Sequence, residues 1–407
     1  MRLRLQTPGA MARVTLGVGF TQIVGWGTTY LMPSVLGRHI QDALNIPAEM
    51  VFAGVTVMAA VGAICAPRVG RFVDRRGARL VMTTGSAVYA LALALLSQAE
   101  GTVSWLSGWV LVGLASALAL STPASIALVQ VAGPSARQAI AMLTIIGGLS
   151  STIFWPLTGV IDAAIGWRAT LLLFAGLHLF ACLPMHLLIL PHRPPDHPAP
   201  ASASVATAGV EPHDQGRIFL LLSLSLSFGA FVFAGVQLQM IEILRGLGHS
   251  PASALFLASM IGPAQVGIRV FELLFGHRYS IMRSAVVGSL LLPIGLGLAM
   301  LAGNLFAAAL VAVLAYGFSN GLKAVQRSTL PLALFGRTQF GQYAGRLALP
   351  QGILSAVSPP ILASVLTQFG TQAALVLALT MAAVSLAAMI ALARRARVRR
   401  SERGATE

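Results

Sequence analysis

Two cationic side chains lie deep inside long apolar segments of the sequence, where a charge is costly to bury. Arg269 stands six residues before Phe275, with Gln265 one helical turn to one side and Glu272 three residues to the other. A helix places all three on one face. An ionisable group at mid-membrane depth costs at least about 2.5 kcal/mol, and arginine offers a planar fork that binds carboxylates through two hydrogen bonds. The spacing therefore indicates an anion site in which Gln265 sets orientation. An internal ion pair with Glu272, or an arginine that extends to the membrane surface, explains the same pattern.

The second cation, Lys323, has Arg327 four residues after it. Two like charges on one helix face repel unless an anion or a carboxylate lies between them. Arg327 is close to the end of its apolar run and can reach the surface, whereas Lys323 is deeper. We interpret Lys323 as a second candidate contact for an anion.

The first apolar run carries a polar patch that contains Gln22, Trp26 and Thr29. Trp26 is far from the interfacial belt where membrane tryptophans usually lie. It could line a cavity or fill space against lipid, and the neighbouring Gly25 and Gly27 favour close helix packing. We take Gln22, Trp26 and Thr29 as candidate cargo contacts.

The composition is typical of a protein that crosses a membrane several times. Apolar residues make up 56% of the 407 residues, charged residues only 10%, and the mean hydropathy is +0.81. The 27 basic residues fall mostly on one side when the apolar runs are counted. That bias predicts a cytoplasmic location for both termini. The net charge of +15 thus describes membrane topology and does not indicate nucleic-acid binding.

Twelve apolar runs have the length of a membrane span, and a segment rich in Pro, Ala, Ser and His separates the first six from the last six. We therefore predict an N-terminal bundle at 1–190, a cytoplasmic linker at 191–216, and a C-terminal bundle with a basic tail at 217–407. The expected spans are 13–35, 48–66, 79–98, 104–128, 138–161, 168–190, 217–243, 251–275, 281–302, 305–329, 342–366 and 371–393.

The two halves repeat each other at a constant offset of 204 positions, which predicts the same fold and the same orientation for both. The matched positions are Arg13 and Arg217, Gly25 and Gly229, Pro47 and Pro251, Arg79 and Arg283, Gly113 and Gly317, Pro156 and Pro360, and Gly166 and Gly370. Polar residues that occur in one half only are better candidates for cargo binding than for scaffold. In the second half these are Gln265, Arg269, Asn320, Lys323, Arg327 and Gln351.

A short charged loop joins the second and third spans and reads G-x-x-x-D-R-x-G-x-R. Gly77 is expected to make the turn, since glycine reaches positive φ without steric cost. Asp74 can bond to backbone N–H groups or to a neighbouring arginine, which predicts a latch against another helix end. A plain basic anchor at the membrane surface would explain the charge but not the acidic residue. The motif residues are Gly70, Asp74, Arg75, Gly77 and Arg79.

This motif resembles the loop between the second and third helices of major facilitator superfamily transporters. The resemblance implies an all-α membrane fold of twelve helices in two six-helix bundles, with this loop as an inner gate. Within the superfamily, Gly25-Trp26-Gly27 and Arg269 look like the monocarboxylate porter and oxalate–formate antiporter branch. That branch places an Asp where this chain has Gln265, or a Lys in the eleventh span, where this chain has none.

No motif of an enzyme occurs in the sequence, and we expect no cofactor and no metal. His178 and His186 are interpreted as packing residues of the sixth span, and Cys65 and Cys182 as small buried hydrophobes. Energy then has to come from an ion or solute gradient, with a proton as the expected ion. Glu272 and Glu242 are the acidic residues near span depth that could carry it.

The predicted function is secondary transport of a small organic anion or related metabolite across a bacterial-type inner membrane, by a monomer. The alternative is an exporter of drug-like or hydrophobic compounds, in which Trp26 and Trp155 line the cavity and Arg269 is structural.

Overall fold

A computed structural model describes residues 8–132, 136–191 and 212–404. The regular structure of these ranges is helical, and they contain no strand. The chain divides into two compact units, Met1–Ala201 and Ser202–Glu407. Most of the predicted linker lies outside the described residues, as does the end of the basic tail.

The described residues of the first unit form nine α-helices and one π-helical turn. Within it α5 packs against α3 and α4, α4 packs against α8 and α9, and α1 packs against α7 and α8. Its elements are α1 (Pro8–Thr28), α2 (Pro33–Leu44), α3 (Ala48–Arg76), α4 (Ala78–Ser97), α5 (Thr102–Ala119), α6 (Ser121–Ala132), α7 (Ala136–Gly147), α8 (Ser150–Leu177), the π-helix His178–Cys182, and α9 (Leu183–Ile189).

The second unit comprises α10 (Pro212–Gly246), α11 (Pro251–Ser259), α12 (Ile261–Phe275), α13 (Ile281–Ala302) and the helical run α14 (Phe306–Gly404). Helices α10, α12 and α13 all pack against α14.

The helical run α14 is 99 residues long but is not one rod. The rings of Phe335 and Tyr343 stack with centroids 3.9 Å apart, although a straight helix would separate the two residues by about 12 Å along its axis. Gly370 interrupts the run again with φ of 81°. α14 therefore contains three spans, which correspond to the tenth, eleventh and twelfth of the sequence.

Nine stretches of the described chain are long and apolar enough to cross a membrane. Two of them, Met142–Ile189 and Arg346–Arg395, are 48 and 50 residues long, more than twice the roughly 20 residues that one span needs. Positive-φ glycines, Gly166 and Gly370, divide them. With the interrupted α1–α2 pair, the chain has the predicted twelve spans.

The first span differs from the prediction, because it is not a continuous helix from 13 to 35. α1 ends at Thr28 and α2 begins at Pro33. A proline lacks the N–H that a helix interior needs and disfavours helical geometry in the residue before it. At the break, the Leu31 N–H bonds to the Trp26 carbonyl five residues back, so Trp26 lies beside a wide turn.

The repeat at offset 204 is visible in the backbone. Gly166 and Gly370 have φ of 75° and 81°. A Cβ at Gly113 would lie 3.0 Å from a backbone oxygen of α3, and one at Gly317 would lie 3.1 Å from a backbone oxygen of α12. The matched glycines thus make the same turn and the same close helix approach in the two units.

Candidate functional site

Gln265 and Arg269 are brought together on α12, as the sequence predicts. Gln265 is buried and Arg269 is half-buried, and Arg269 Nη2 donates to Gln265 Oε1 over 3.4 Å. α14 packs closely against α12 beside this pair at Gly321, since a Cβ there would lie 2.8 Å from the Gln265 carbonyl oxygen. The amide therefore orients one edge of the guanidinium.

Glu272 lies one turn below Arg269 and connects α12 to its neighbours. Its Oε1 accepts a hydrogen bond of 2.8 Å from Ser284 Oγ on α13. The Ser284 carbonyl in turn accepts one of 3.0 Å from Gln326 Nε2 on α14. Glu272 is thus part of a polar chain across three helices, and Gln326 is a member that the sequence analysis did not single out.

The other acidic candidate, Glu242, lies in the last turns of α10. Its Oε1 is 3.5 Å from Arg245 Nη1, and both side chains are partly exposed. Glu242 therefore forms an ion pair within its own helix.

Lys323 is buried in the second unit, between α10 and the last span of α14. Its Nζ is 3.4 Å from Ser225 Oγ and 3.4 Å from Ser385 Oγ. α10 passes alongside it at Gly229, where a Cβ would lie in ordinary contact, 3.8 Å from Nζ. The ammonium position is therefore surrounded by hydroxyl groups.

Asn320 and Gln351 differ in how much of their amide is available. Asn320 Nδ2 donates to Gln237 Oε1 over 3.4 Å, so that α14 and α10 share an amide pair. Gln351 Nε2 instead donates to the Leu347 carbonyl one turn back on its own helix over 2.9 Å. The amide nitrogen of Gln351 is therefore used for local structure, while Gln237 joins the set of candidate cargo contacts.

The predicted polar patch of the first unit lies on the last turns of α1. Gln22 Nε2 donates to the Ala119 carbonyl over 2.9 Å, and the hydroxyl of Thr29, one residue past the end of α1, donates to the Gly25 carbonyl. Trp26 is half-buried and its ring stands edge-on to that of Tyr30, with centroids 5.5 Å apart. Gln22 therefore ties α1 to the end of α5, and Trp26 is the member that keeps an accessible surface.

Trp155, which lines the cavity in the exporter alternative, is fully buried in α8. A fully covered side chain adds to packing and offers no exposed face to a cargo in this conformation.

A buried histidine, His178, connects the first and sixth spans. The Thr28 hydroxyl gives its hydrogen to the Val24 carbonyl at 2.8 Å, so it accepts from His178 Nε2 at 2.9 Å. The imidazole also stacks on Tyr89, with ring centroids 4.6 Å apart. The interpretation as a packing residue is incomplete, because His178 also holds an interhelical hydrogen bond.

His186, two turns further, is bonded on both ring nitrogens. Thr21 donates to the Val18 carbonyl at 2.9 Å and accepts from His186 Nε2 at 3.0 Å. Ser86 Oγ on α4 is 3.0 Å from His186 Nδ1 and donates to it. The sequence contained a signal for this network, since the threonines of α1 and the histidines of the sixth span recur at spacings of 7 and 8 residues.

The charged loop turns where the sequence predicts. Gly77 has φ of 84° and ψ of 154° between α3 and α4, and its N–H bonds to the Val73 carbonyl at 2.8 Å. A Cβ at Gly70 would meet nothing within 4 Å. The side chains of Asp74 and Arg75 lie outside the described residues, and the latch stays a prediction.

Comparison with known proteins gives a family and a fold. A family model described as Major Facilitator Superfamily matches residues 16–323. No curated protein matches the sequence significantly.

Several solved structures share the fold at low sequence identity. A point mutant of the nucleoside transporter NupG is similar with a TM-score of 0.75 and 14% identity, over 94% of this chain and 98% of that one. A bacterial homolog of the human lysosomal transporter Spinster, inward-facing and unoccupied, gives 0.68 and 12%, over 95% and 98%. The human organic anion transporter MFSD10 gives 0.63 and 18%, over 95% and 100%.

The twelve spans, the repeated six-helix units and the family match agree with one another. The protein belongs to the Major Facilitator Superfamily and is a secondary transporter.

Proposed function

We propose that this transporter moves a small organic anion or related metabolite, with Arg269 as its main cargo contact. The observation that carries the proposal is the Arg269–Gln265 pair on α12. A permanently charged group inside a spanning helix is expensive, and it is oriented here by a neutral amide. An oriented guanidinium is suited to a carboxylate, which it can bind through two parallel hydrogen bonds.

The remaining members of the proposed machinery come from both units of the chain. The further cargo residues are Gln22, Trp26, Thr29, Asn320, Lys323 and Gln351, and the inner-gate residues are Gly70, Asp74, Arg75, Gly77 and Arg79. The proposed setting is a bacterial-type inner membrane, with a monomer whose termini are cytoplasmic and whose coupling ion is the proton. Glu272 and Glu242 are the acidic candidates for that proton.

The fold does not select the cargo, so the proposal depends on side chains. The similar solved structures are described as transporters of nucleosides, organic anions and, at a TM-score of 0.71 and 12% identity, peptides. One fold hosts many specificities by exchange of a few residues.

The test is uptake of radiolabelled mono- and dicarboxylates by proteoliposomes. We expect saturable uptake of at least one carboxylate, reduced at least about 30-fold by Arg269→Gln, because truncating one side of a buried charge contact costs about 2 kcal/mol or more. The matched control is Arg278→Gln, since Arg278 is exposed. It should leave uptake unchanged.

Uptake that is unaffected by Arg269→Gln would remove the binding role of this arginine. Transport of hydrophobic dyes without any carboxylate would favour the exporter alternative instead.

A further inference from the structure

The sequence contains a single lysine, Lys323, and all its other cationic side chains apart from histidine are arginines. That lysine is 6% exposed. The difference between the two residue types is chemical: a guanidinium stays protonated in proteins, whereas an ammonium can release its proton when it is buried. The chain thus places its one ammonium side chain in the core of the second unit.

The pocket around Lys323 fits a neutral amine. Ser385 Oγ donates its hydrogen to the Ser225 carbonyl at 2.7 Å, so towards Lys323 Nζ it can act only as an acceptor. Ser225 Oγ is the other hydrogen-bond partner. An amine has two N–H groups, which these two oxygens accept, and an ammonium has a third that finds no acceptor among the described residues. Both the neutral amine and the ammonium form of Lys323 can therefore occupy this pocket, and no ion pair fixes either form among the described residues.

No carboxylate in the described part of the chain pairs with Lys323. The charged or titratable groups described on the elements that pack around it, and on its own helical run, are Arg217, Glu242, Arg245, Arg269, Glu272, Arg283, Tyr316, Arg327, Tyr343, Arg346, Arg394 and Arg395. Its hydrogen bonds go to the two serines and to none of these groups. The environment therefore does not hold the ammonium charged, as a salt bridge would.

We propose that Lys323 is the site at which this transporter loads and releases its coupling proton. A proton from water adds to the Nζ lone pair to give the ammonium, and the reverse step returns it to water. The inference rests on the proposed function only in taking the proton as the coupling ion. It assigns to Lys323 the role otherwise expected of Glu272 or Glu242.

The single lysine allows a direct measurement. Protein carrying a lysine-free tag and labelled with [13Cε]lysine should give one side-chain resonance in nanodiscs, absent from Lys323→Met. We expect this resonance to move between about pH 6 and pH 9. Arg327→Lys adds an exposed lysine on the same helix and serves as an internal control that titrates near the usual value of about 10.4. A Lys323 resonance that moves together with this control would overturn the proposal.

A second measurement tests coupling without knowledge of the cargo. Hydrogen exchange at pH 6 and pH 8, corrected for intrinsic rates, should differ in the wild type. Lys323→Arg should show the pH 6 pattern at both values and Lys323→Met the pH 8 pattern, because their charge is fixed. Variants that keep the wild-type pH dependence would contradict the assignment. If a variant does not fold, the wild-type titration still decides.

The outcomes separate the two proposals. A lysine that gains and loses its proton in a protein that moves no carboxylate would refute the anion cargo and leave the proton site standing.

Discussion

The hydrogen bond between Thr28 and His178 should be a measurable part of the stability of the first unit. Thr28 is fully buried, His178 is 2% exposed, and their atoms are 2.9 Å apart. The change Thr28→Val keeps the shape of the side chain and removes the oxygen that accepts from Nε2. The imidazole N–H then remains buried without a partner.

We expect Thr28→Val to lower the free energy of unfolding by about 1 kcal/mol. A buried donor that loses its partner costs about 1–3 kcal/mol in soluble proteins. Measured interhelical hydrogen bonds in a membrane protein average about 0.6 and reach about 1.7 kcal/mol. The short distance and complete burial place this bond in the upper half of the membrane range. For a unit of about 200 residues, 1 kcal/mol lowers the unfolding temperature by about 2–4 °C.

The assay is thermal unfolding of the purified protein in detergent, followed by intrinsic fluorescence. Thr380→Val is the matched control, because Thr380 makes the same bond to its own helix, to Val376 at 2.8 Å, but is exposed. It should change stability by less than about 0.5 kcal/mol. In Thr28→Val/His178→Phe, both polar partners are gone and most of the loss should be recovered.

Equal effects of Thr28→Val and Thr380→Val would refute the reasoning. The reasoning would also be refuted if Thr28→Val/His178→Phe lost as much stability as Thr28→Val and His178→Phe added together, because the effects of independent sites add and those of coupled sites do not.

Two further predictions concern glycines. Gly113→Ala and Gly317→Ala should destabilise their units by a similar amount, about 1–3 kcal/mol of overpacking less up to about 1 kcal/mol gained in helix propensity. Gly297→Ala is the control and should not destabilise the protein, because a Cβ there meets nothing within 4 Å. If thermal unfolding showed that one of the matched variants stabilises its unit and the other destabilises it, the repeat would be contradicted. Gly77→Ala should lower the free energy of unfolding by about 1–3 kcal/mol, because the φ and ψ of this turn belong to a region open essentially to glycine. Gly70→Ala is the control and should leave stability unchanged. Equal unfolding temperatures for the two variants would contradict the turn assignment.

The backbone plan of this protein could be predicted because it depends on local chemistry. Spans follow from apolar runs of about 20 residues, and turns follow from glycine. Gly77 was identified from its place in a charged loop, and Gly166 with Gly370 from their common offset. The first span was predicted less well, because hydropathy sees one apolar run where Pro33 separates two helices.

The polar interior could be predicted only in part. Gln265 and Arg269 share a helix, so their contact follows from the spacing of four residues. The partners of Lys323 come from spans that precede and follow it by 98 and 62 residues, and no local pattern connects them. The same is true of Gln237 with Asn320 and of His178 with Thr28.

By itself the sequence determined how many times this chain crosses the membrane, that its halves repeat, and where it turns, since each depends on neighbouring residues and on transfer from water to lipid. Tertiary structure decided which polar groups meet. Lys323 shows the difference: the sequence reveals that it is the only lysine, but only the packing of three helices places two serine hydroxyls beside it, with no acid paired to it among the described residues. Partners across helices are chosen by packing geometry and hydrogen-bond satisfaction, which are properties of the assembled bundle.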